Sequence, residues 1–309
     1  MDPARLRLLR ELGDRGSVAA VATALHVSAS AVSQQLAALQ AGIPVPLTIK
    51  QGRRLVLTEA GEALAVASAR VDEALAQARE TIGSFLEHDE RPVTVSAFHS
   101  AGLALFGPLL TELGAGSRVS LADADVAQDK FAGLAADYDL VIAHRLAHDP
   151  VWPTGRLVVT PLLVEPLEIA LHAAHPLAAY AGIRPEQLRN ERWISTHEGF
   201  PLTGVLAHLG AVIGQAPQVD HHINEFSVAA EVVRTGAAIA VMPRTTAAPL
   251  AVDGMVLRPV TGVSLVRHVD VLARPDALAH APVRRVLAAL QHVAAIATRR
   301  ASWTTTAGI

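Results

Sequence analysis

Apolar residues recur at helical spacing from the first turn of the chain. Leu6, Leu9 and Leu12 give one helix a single apolar face, and Ser17 offers an N-cap to a second in which Val18, Val21, Ala22 and Leu25 recur every three or four positions. Ser28 can cap a third, whose inward stripe is Val32, Leu36 and Leu39. Ala29, Ser30, Ser33 and Gln34 then fall on the opposite side near its N-terminal end. That face is small, polar and uncharged, which suits a helix that enters the major groove and sets donors and acceptors against base edges. Taken alone, such a helix pair reads equally as an ordinary hairpin with a polar solvent face. The next segment shifts the balance. Lys50 leads into Gln51-Gly52-Arg53-Arg54, a basic turn backed by the strand-like Leu55-Val56-Leu57-Thr58. A glycine turn carrying two arginines beside a two-helix reader lays guanidinium groups on phosphates or into a minor groove. The pattern is that of a winged helix-turn-helix.

From Thr58 to about Glu87 the chain has no proline, and Leu64, Ser68, Val71, Leu75, Ala78, Ile82 and Phe85 alternate four and three residues apart. This heptad seam predicts a helix of about 45 Å, too long to hide its stripe inside a small domain. Either it packs on its own chain or it dimerises. After Arg91-Pro92 the period changes. Strands are expected at 92–98, 118–124 and 138–144, with helices at 100–113 and 126–136 between them. A second set runs through 157–173, Trp193-Ile194-Ser195, a helix near 202–209, 219–226, a helix over 227–235, and 238–243. A strand at 264–273 and an amphipathic helix at 283–297 close the pattern, and residues from Arg300 onward show none. Strands alternating with helices imply a parallel sheet covered on both faces.

Composition narrows the chemistry. The 309 residues are 51% hydrophobic with a mean hydropathy of +0.33, ample for two or three domains that each bury a core. There are no cysteines, which excludes disulfides, thiolate catalysis and cysteine-ligated metal centres and permits a cytoplasmic location. The charged N-terminus lacks a signal-peptide core, and no segment has the roughly 20 apolar residues a membrane span needs. Global charge is −3, yet residues 1–58 hold seven bases against three acids, so the remainder is acidic. A small anion-binding module on a larger acidic body has this asymmetry.

The stretch SVAAVATALHVSASAVSQQLAALQ followed by GRRLVLTEAGEAL resembles the N-terminal domain of LysR-type transcriptional regulators, and the downstream order of segments fits that family over essentially the whole chain. One departure stands out. Pro44 and Pro46 stiffen the segment before the wing, and Thr48 replaces the usual aromatic. The resemblance implies an α+β multidomain protein. It has a winged helix-turn-helix at 1–58, a dimerising linker helix at 59–90, and a two-lobed, periplasmic-binding-protein-like α/β effector domain at 91–299. Lobe I takes about 91–160 and 264–299, and lobe II about 161–263. It also implies a homodimer or homotetramer on double-stranded promoter DNA, with no cofactor, catalysis or membrane contact. Ser28, Ala29, Ser30, Ser33, Gln34, Lys50, Arg53 and Arg54 are then the DNA-binding candidates.

Ligands of α/β proteins sit beyond the carboxyl ends of strands. Those junctions hold His99, Ser100, Asp125, His144, Thr196 and Phe200, with Asn224, Glu225 and Phe226 opposite. In related regulators the positions matching Ser100, Pro201, Leu202 and Thr203 lie at the effector pocket. Phe98, Phe200 and Phe226 are core or pocket wall with equal weight, and an aromatic wall with hydroxyl donors fits an amino acid or a small organic or aromatic carboxylate. Asp125 reads first as a helix cap; facing the cleft with Glu225, it favours a cationic group on the effector instead. Fourteen histidines, among them His144 with His148, His172 with His175, and His221-His222, do not converge as metal ligands. No nucleophile elbow, phosphate loop or dinucleotide fingerprint occurs. The rival class is a small-molecule-binding protein or metal-dependent enzyme that uses the α/β body with no DNA role.

Overall fold

The structure, a computed structural model, describes residues 1–52, 54–83, 91–200, 202–252 and 254–304. Arg53, Pro201 and Phe85, and the linker beyond Gly83, lie outside the described residues.

The chain begins with α1 (Pro3–Arg15), α2 (Val18–Ala24) and α3 (Ala29–Ala41), followed by the antiparallel pair β1 (Thr48–Gln51) and β2 (Arg54–Leu57). Both serine caps form as expected. The Ala20 amide donates to Ser17 Oγ and the Ala31 amide to Ser28 Oγ, each at 3.1 Å. Leu9, Leu12, Val21, Val32, Leu36, Leu39 and Leu47 make a small core of their own. The proline-rich approach to the wing is tied down by Gln40. Its Nε2 donates to the carbonyls of Ile43 and Val45 at 3.0 and 2.8 Å, and its Oε1 accepts from the Leu47 amide at 2.7 Å.

Thr58 starts α4 (Glu59–Gly83) by accepting from the Gly61 amide and donating to the Pro46 carbonyl. A Cβ at Gly61 would lie 2.0 Å from the Leu47 carbonyl oxygen, so glycine is required where helix meets wing. The heptad seam divides. Ser68 is buried against the chain together with Ala65, Ala69 and Ala76, whereas Val71, Leu75 and Ile82 stay exposed.

The larger body runs through β3 (Val93–Ala97), α5 (His99–Leu113), β4 (Val119–Asp123), α6 (Phe131–Leu134), β5 (Leu140–Leu146), β6 (Val158–His172), β7 (Arg192–Ser195), α7 (Thr203–Ile213), β8 (Gln218–His222), α8 (Phe226–Arg234), β9 (Ile239–Pro243), β10 (Met255–Arg258), β11 (Val266–Ala273), α9 (Pro275–Leu278) and α10 (Ala281–Thr304). The strands follow the order β4-β3-β5-β11-β6-β9-β7-β8, with β10 on β6. Pairing is parallel within each lobe, but β11 and β6 run antiparallel to their neighbours, which corrects the all-parallel expectation. The reason is topological. The first half of β6 pairs with β11 in lobe I and its second half with β9 and β10 in lobe II, so one strand spans both sheets. Separate apolar cores fill the lobes, one around Phe98, Leu105 and Ile142 and others around Trp193, Leu209 and Met242.

Three further expectations change. The helix at 126–136 shrinks to a 3-10 turn (Gln128–Lys130) and α6, because Phe131 and Ala135 are the buried residues there and Gly133 between them weakens the helix. The strand at 219–226 stops at His222, since Glu225 caps α8. The C-terminal segment is helical to Thr304, with Ala301 buried.

The winged domain docks on lobe I through ion pairs. Arg274 reaches Glu11 and Asp14, both at 2.7 Å; Arg15 holds Glu11 and Asp137; Arg10, 1% exposed, meets Asp72 and Asp276 at 3.1 Å. Burial pushes the Glu11 carboxyl up, but Arg274 and Arg15 outweigh it and hold the group below its ordinary value of 4.5. A depressed carboxylate stabilises above its unfolded value, and that contribution is lost as pH falls through the folded one. Docking is therefore expected to be intact at pH 5 and to weaken progressively below 4.5, read as rising hydrogen exchange along α1. Arg274→Met should cost about 3–5 kcal/mol by leaving the buried Glu11 with Arg15 alone, and should shrink the acid-dependent loss, because the carboxyl is then held less far below its ordinary value.

Candidate functional site

At the middle of β6 the chain places Glu165, and opposite it on β11 sits Arg267. Neither is more than 1% exposed. Arg267 Nε donates to Glu165 Oε1 at 2.6 Å. Its Nη2 donates to Thr246 Oγ1 at 2.5 Å and to Ser100 Oγ at 3.0 Å. The amides of Thr245 and Thr246 donate to Glu165 Oε2 at 3.1 and 2.9 Å. Phe98 lies under the guanidinium, 4.8 Å from ring centroid to Cζ. Ser100 opens α5 in lobe I and Thr246 follows β9 in lobe II, so this hub joins the lobes at their crossing strands.

Beside the hub lies an interlobe cavity of about 30 Å³, the room of one water molecule. Its wall brings together His99, Ser100, Asp125, His144, Thr196, Phe200, Leu202 and Phe226, with Phe98, Asn224, Glu225 and Arg267 completing it. Thr203 is not part of that wall. Its hydroxyl is paired with Thr196 Oγ1 and the His197 carbonyl, both at 2.9 Å, so it shapes the loop leading into α7. Ser100 is on the wall with its oxygen already accepting from Arg267. Asp125 caps nothing, because the following 3-10 turn begins at Gln128 after Ala127. Burial pushes its carboxyl up, and Glu225 adds to the effect against the pull of His99 and Arg267. His144 stacks edge-on against Phe98 and Phe131, and burial, with Arg267, pushes its imidazole well below the usual value. His99 bridges the lobes, 2.7 Å from both Asp123 and Glu225.

Glu165, Arg267 and Thr246 were not among the residues expected at the site. Their signal was present: an acid inside LLVEPLEIALH and an arginine inside LVRHVDVLA interrupt apolar strands. A buried charge demands a partner. The histidine pairs do not assemble, and among the described residues no group of His, Asp and Glu could hold a metal ion. No described helix is long and apolar enough to cross a membrane.

On the winged domain, Ser28, Ala29, Ser30, Ser33 and Gln34 form one exposed surface at the start of α3. Ser30 bonds Ser28 through its hydroxyl, and Ser33 donates to the Ala29 carbonyl. Lys50 and Arg54 are exposed on the two wing strands, and Gly52 makes the turn at φ 61°.

A winged helix-turn-helix joined by a long helix to a two-lobed ligand-binding body defines the class of ligand-responsive DNA-binding regulators. Residues 3–62 match the description "Bacterial regulatory helix-turn-helix protein, lysR family" and residues 87–295 match "LysR substrate binding domain". The chain belongs to the LysR family of transcriptional regulators. It is 23% identical over 281 residues to a probable RuBisCO transcriptional regulator of Synechocystis, a match covering 88% of this chain and 80% of that one. It is 33% identical over 121 residues to the lysine export transcriptional regulatory protein LysG of Corynebacterium efficiens, covering 39% of this chain and 41% of the relative. Among solved structures, a full-length OxyR variant from Pseudomonas aeruginosa has the same fold, with TM-score 0.62 and 20% identity over 95% of this chain and 94% of that one. CbnR bound to its target DNA also shares it, with TM-score 0.51 and 19% identity over 95% of this chain and all of that one.

Replacing Arg267 by methionine is expected to strand Glu165 and cost roughly 3–5 kcal/mol in denaturant unfolding, whereas the double change Glu165→Met, Arg267→Met should recover part of the loss, the Thr245 and Thr246 amides then lacking their acceptor.

Proposed function

We propose that this regulator reads an operator through α3 and the wing, as a homodimer or homotetramer, and that a small organic effector held between the lobes changes how the winged domains are presented. The observation that carries the reading is the exposed, uncharged start of α3 set beside a wing with exposed Lys50 and Arg54. Ser28, Ala29, Ser30, Ser33 and Gln34 meet base edges and nearby phosphates; Lys50, Arg53 and Arg54 meet the backbone or minor groove. His99, Ser100, Asp125, His144, Thr196, Phe200, Pro201, Leu202 and Phe226 contact the effector, and Thr203 holds the loop that carries Phe200 and Leu202. The ligand switches the molecule only through unequal affinity for two lobe arrangements. No catalytic step enters this account, and its setting is the cytoplasm.

Binding to duplex fragments from the gene's own upstream region, followed by anisotropy over a salt series, tests the reading. Arg53→Ala with Arg54→Ala should weaken every fragment alike and flatten the logarithmic salt slope by about one per lost phosphate contact. Gln34→Ala should instead cost about 1–3 kcal/mol on the preferred site and little on other DNA. A chain that ignores all duplexes at low salt contradicts the proposal. The exposed stripe of Val71, Leu75 and Ile82 supports α4 as the pairing surface. Leu75→Asp with Val71→Asp should therefore lower the mass seen by light scattering and weaken paired half-site binding at least ten-fold, since each winged domain would then bind alone.

A further inference from the structure

The charge around the interlobe cavity decides what kind of ligand it accepts. Its deepest pair, Glu165 with Arg267, is self-neutralising, and the arginine's Nε and Nη2 are bonded to Glu165, Thr246 and Ser100. His144, also in the wall, is kept from protonating by burial and Arg267, and the remaining histidine of the wall, His99, stands between Asp123 and Glu225 at 2.7 Å from each. Asp125 adds a third carboxylate, half-buried in the same wall and near enough to Glu225 for the two to repel. Even with His99 protonated, the two wall carboxylates outnumber it, and the exposed Asp123 just outside the wall adds a third acid. With Arg267 neutralised by Glu165, an effector with only negative charge works against the net acidic field of this wall.

A second observation comes from the same cavity. His144 is 4% exposed, lines the cavity, and its buried Nδ1 has no hydrogen-bond partner. Such an orphaned atom is costly unless something fills the cavity and pairs with it. The neutral ring has one donor and one acceptor nitrogen, so it can bond an N–H or a polar oxygen without contributing charge.

We propose, resting on the interlobe reading above, that the effector is a small organic ammonium ion whose charged nitrogen is received by Asp125 and Glu225, displacing His99 from Glu225. The cavity holds only one water in this form, so an organic ligand enters as the lobes part. The His99–Glu225 contact ties α5 of lobe I to the cap of α8 in lobe II. An ammonium group that replaces the imidazole removes that tie and compensates Asp125 at the same time. The half-buried Phe200 and Phe226 supply the apolar surface for the rest of the molecule.

Calorimetric titration of the full-length chain with L-ornithine, 1,5-diaminopentane and benzylamine, against glutarate and benzoate of matched size, tests the assignment. At least one amine is expected to bind saturably and the two carboxylates not at all. Asp125→Asn and Glu225→Gln, both near-isosteric, should each weaken that amine roughly ten-fold or more, the loss of a partly desolvated ion pair. Thr196→Trp, which fills the cavity, should block it. Carboxylates binding in place of amines, with Thr196→Trp still blocking, overturns the ligand class and leaves the interlobe site standing. Amine binding unaffected by Asp125→Asn, Glu225→Gln and Thr196→Trp overturns the class and the site together, and no binding by any amine overturns the class.

Discussion

The structure turns on one buried ion pair. Glu165 and Arg267 sit on the two antiparallel strands that cross between the lobes, and neither reaches solvent. Two charges in such a place are tolerable only because each is heavily bonded: the carboxylate by two backbone amides, the guanidinium by two hydroxyls and an aromatic face. Those partners come from both lobes. The pair therefore fixes the hinge and sets Ser100 and Phe98 in the cavity wall together with His99, Asp125 and Glu225. A regulator needs a hinge with few well-defined arrangements, and a buried hydrogen-bonded pair has that property because half-formed versions of it are expensive.

A second set of charges carries the consequence outward. Arg274 follows β11 directly, the strand that holds Arg267, and it grips Glu11 and Asp14 of α1. The same strand thus touches the interlobe cavity within the sheet and the winged domain at its end. Arg10 adds Asp72 of α4 and Asp276 of α9 to this contact. The start of α3 stays exposed, so these pairs dock the winged domain without covering Ser28, Ala29, Ser30, Ser33 and Gln34.

Much of this was legible in the residues. Ser17 and Ser28 announced both helix starts, and the stripe of Val32, Leu36 and Leu39 fixed which face of α3 is turned outward, because local capping and periodicity need no distant partner. The strand-end rule placed His99, Asp125, His144 and Thr196 at the cavity. What escaped was non-local. Glu165 and Arg267 are 102 positions apart, and only the folded sheet makes them neighbours. Nothing local tells that Ser68 of the heptad seam turns inward while Val71 and Leu75 do not. The direction of β6 and β11 was hidden for the same reason: a chain that crosses between lobes reverses pairing without any change in hydrophobic period.

The claim on which the account rests is that separation of the lobes and presentation of the winged domains are one motion. The chain contains no cysteine, so cysteines placed at His99 and Glu225 and bridged by a short bis-maleimide would hold the lobes closed at a single defined site. Footprinting of bridged and unbridged protein on the same upstream fragment is the direct measurement. The account predicts different footprints or affinities for the two, and a bridged form that no longer responds to any effector. Identical footprints, affinities and effector responses in both forms would contradict it.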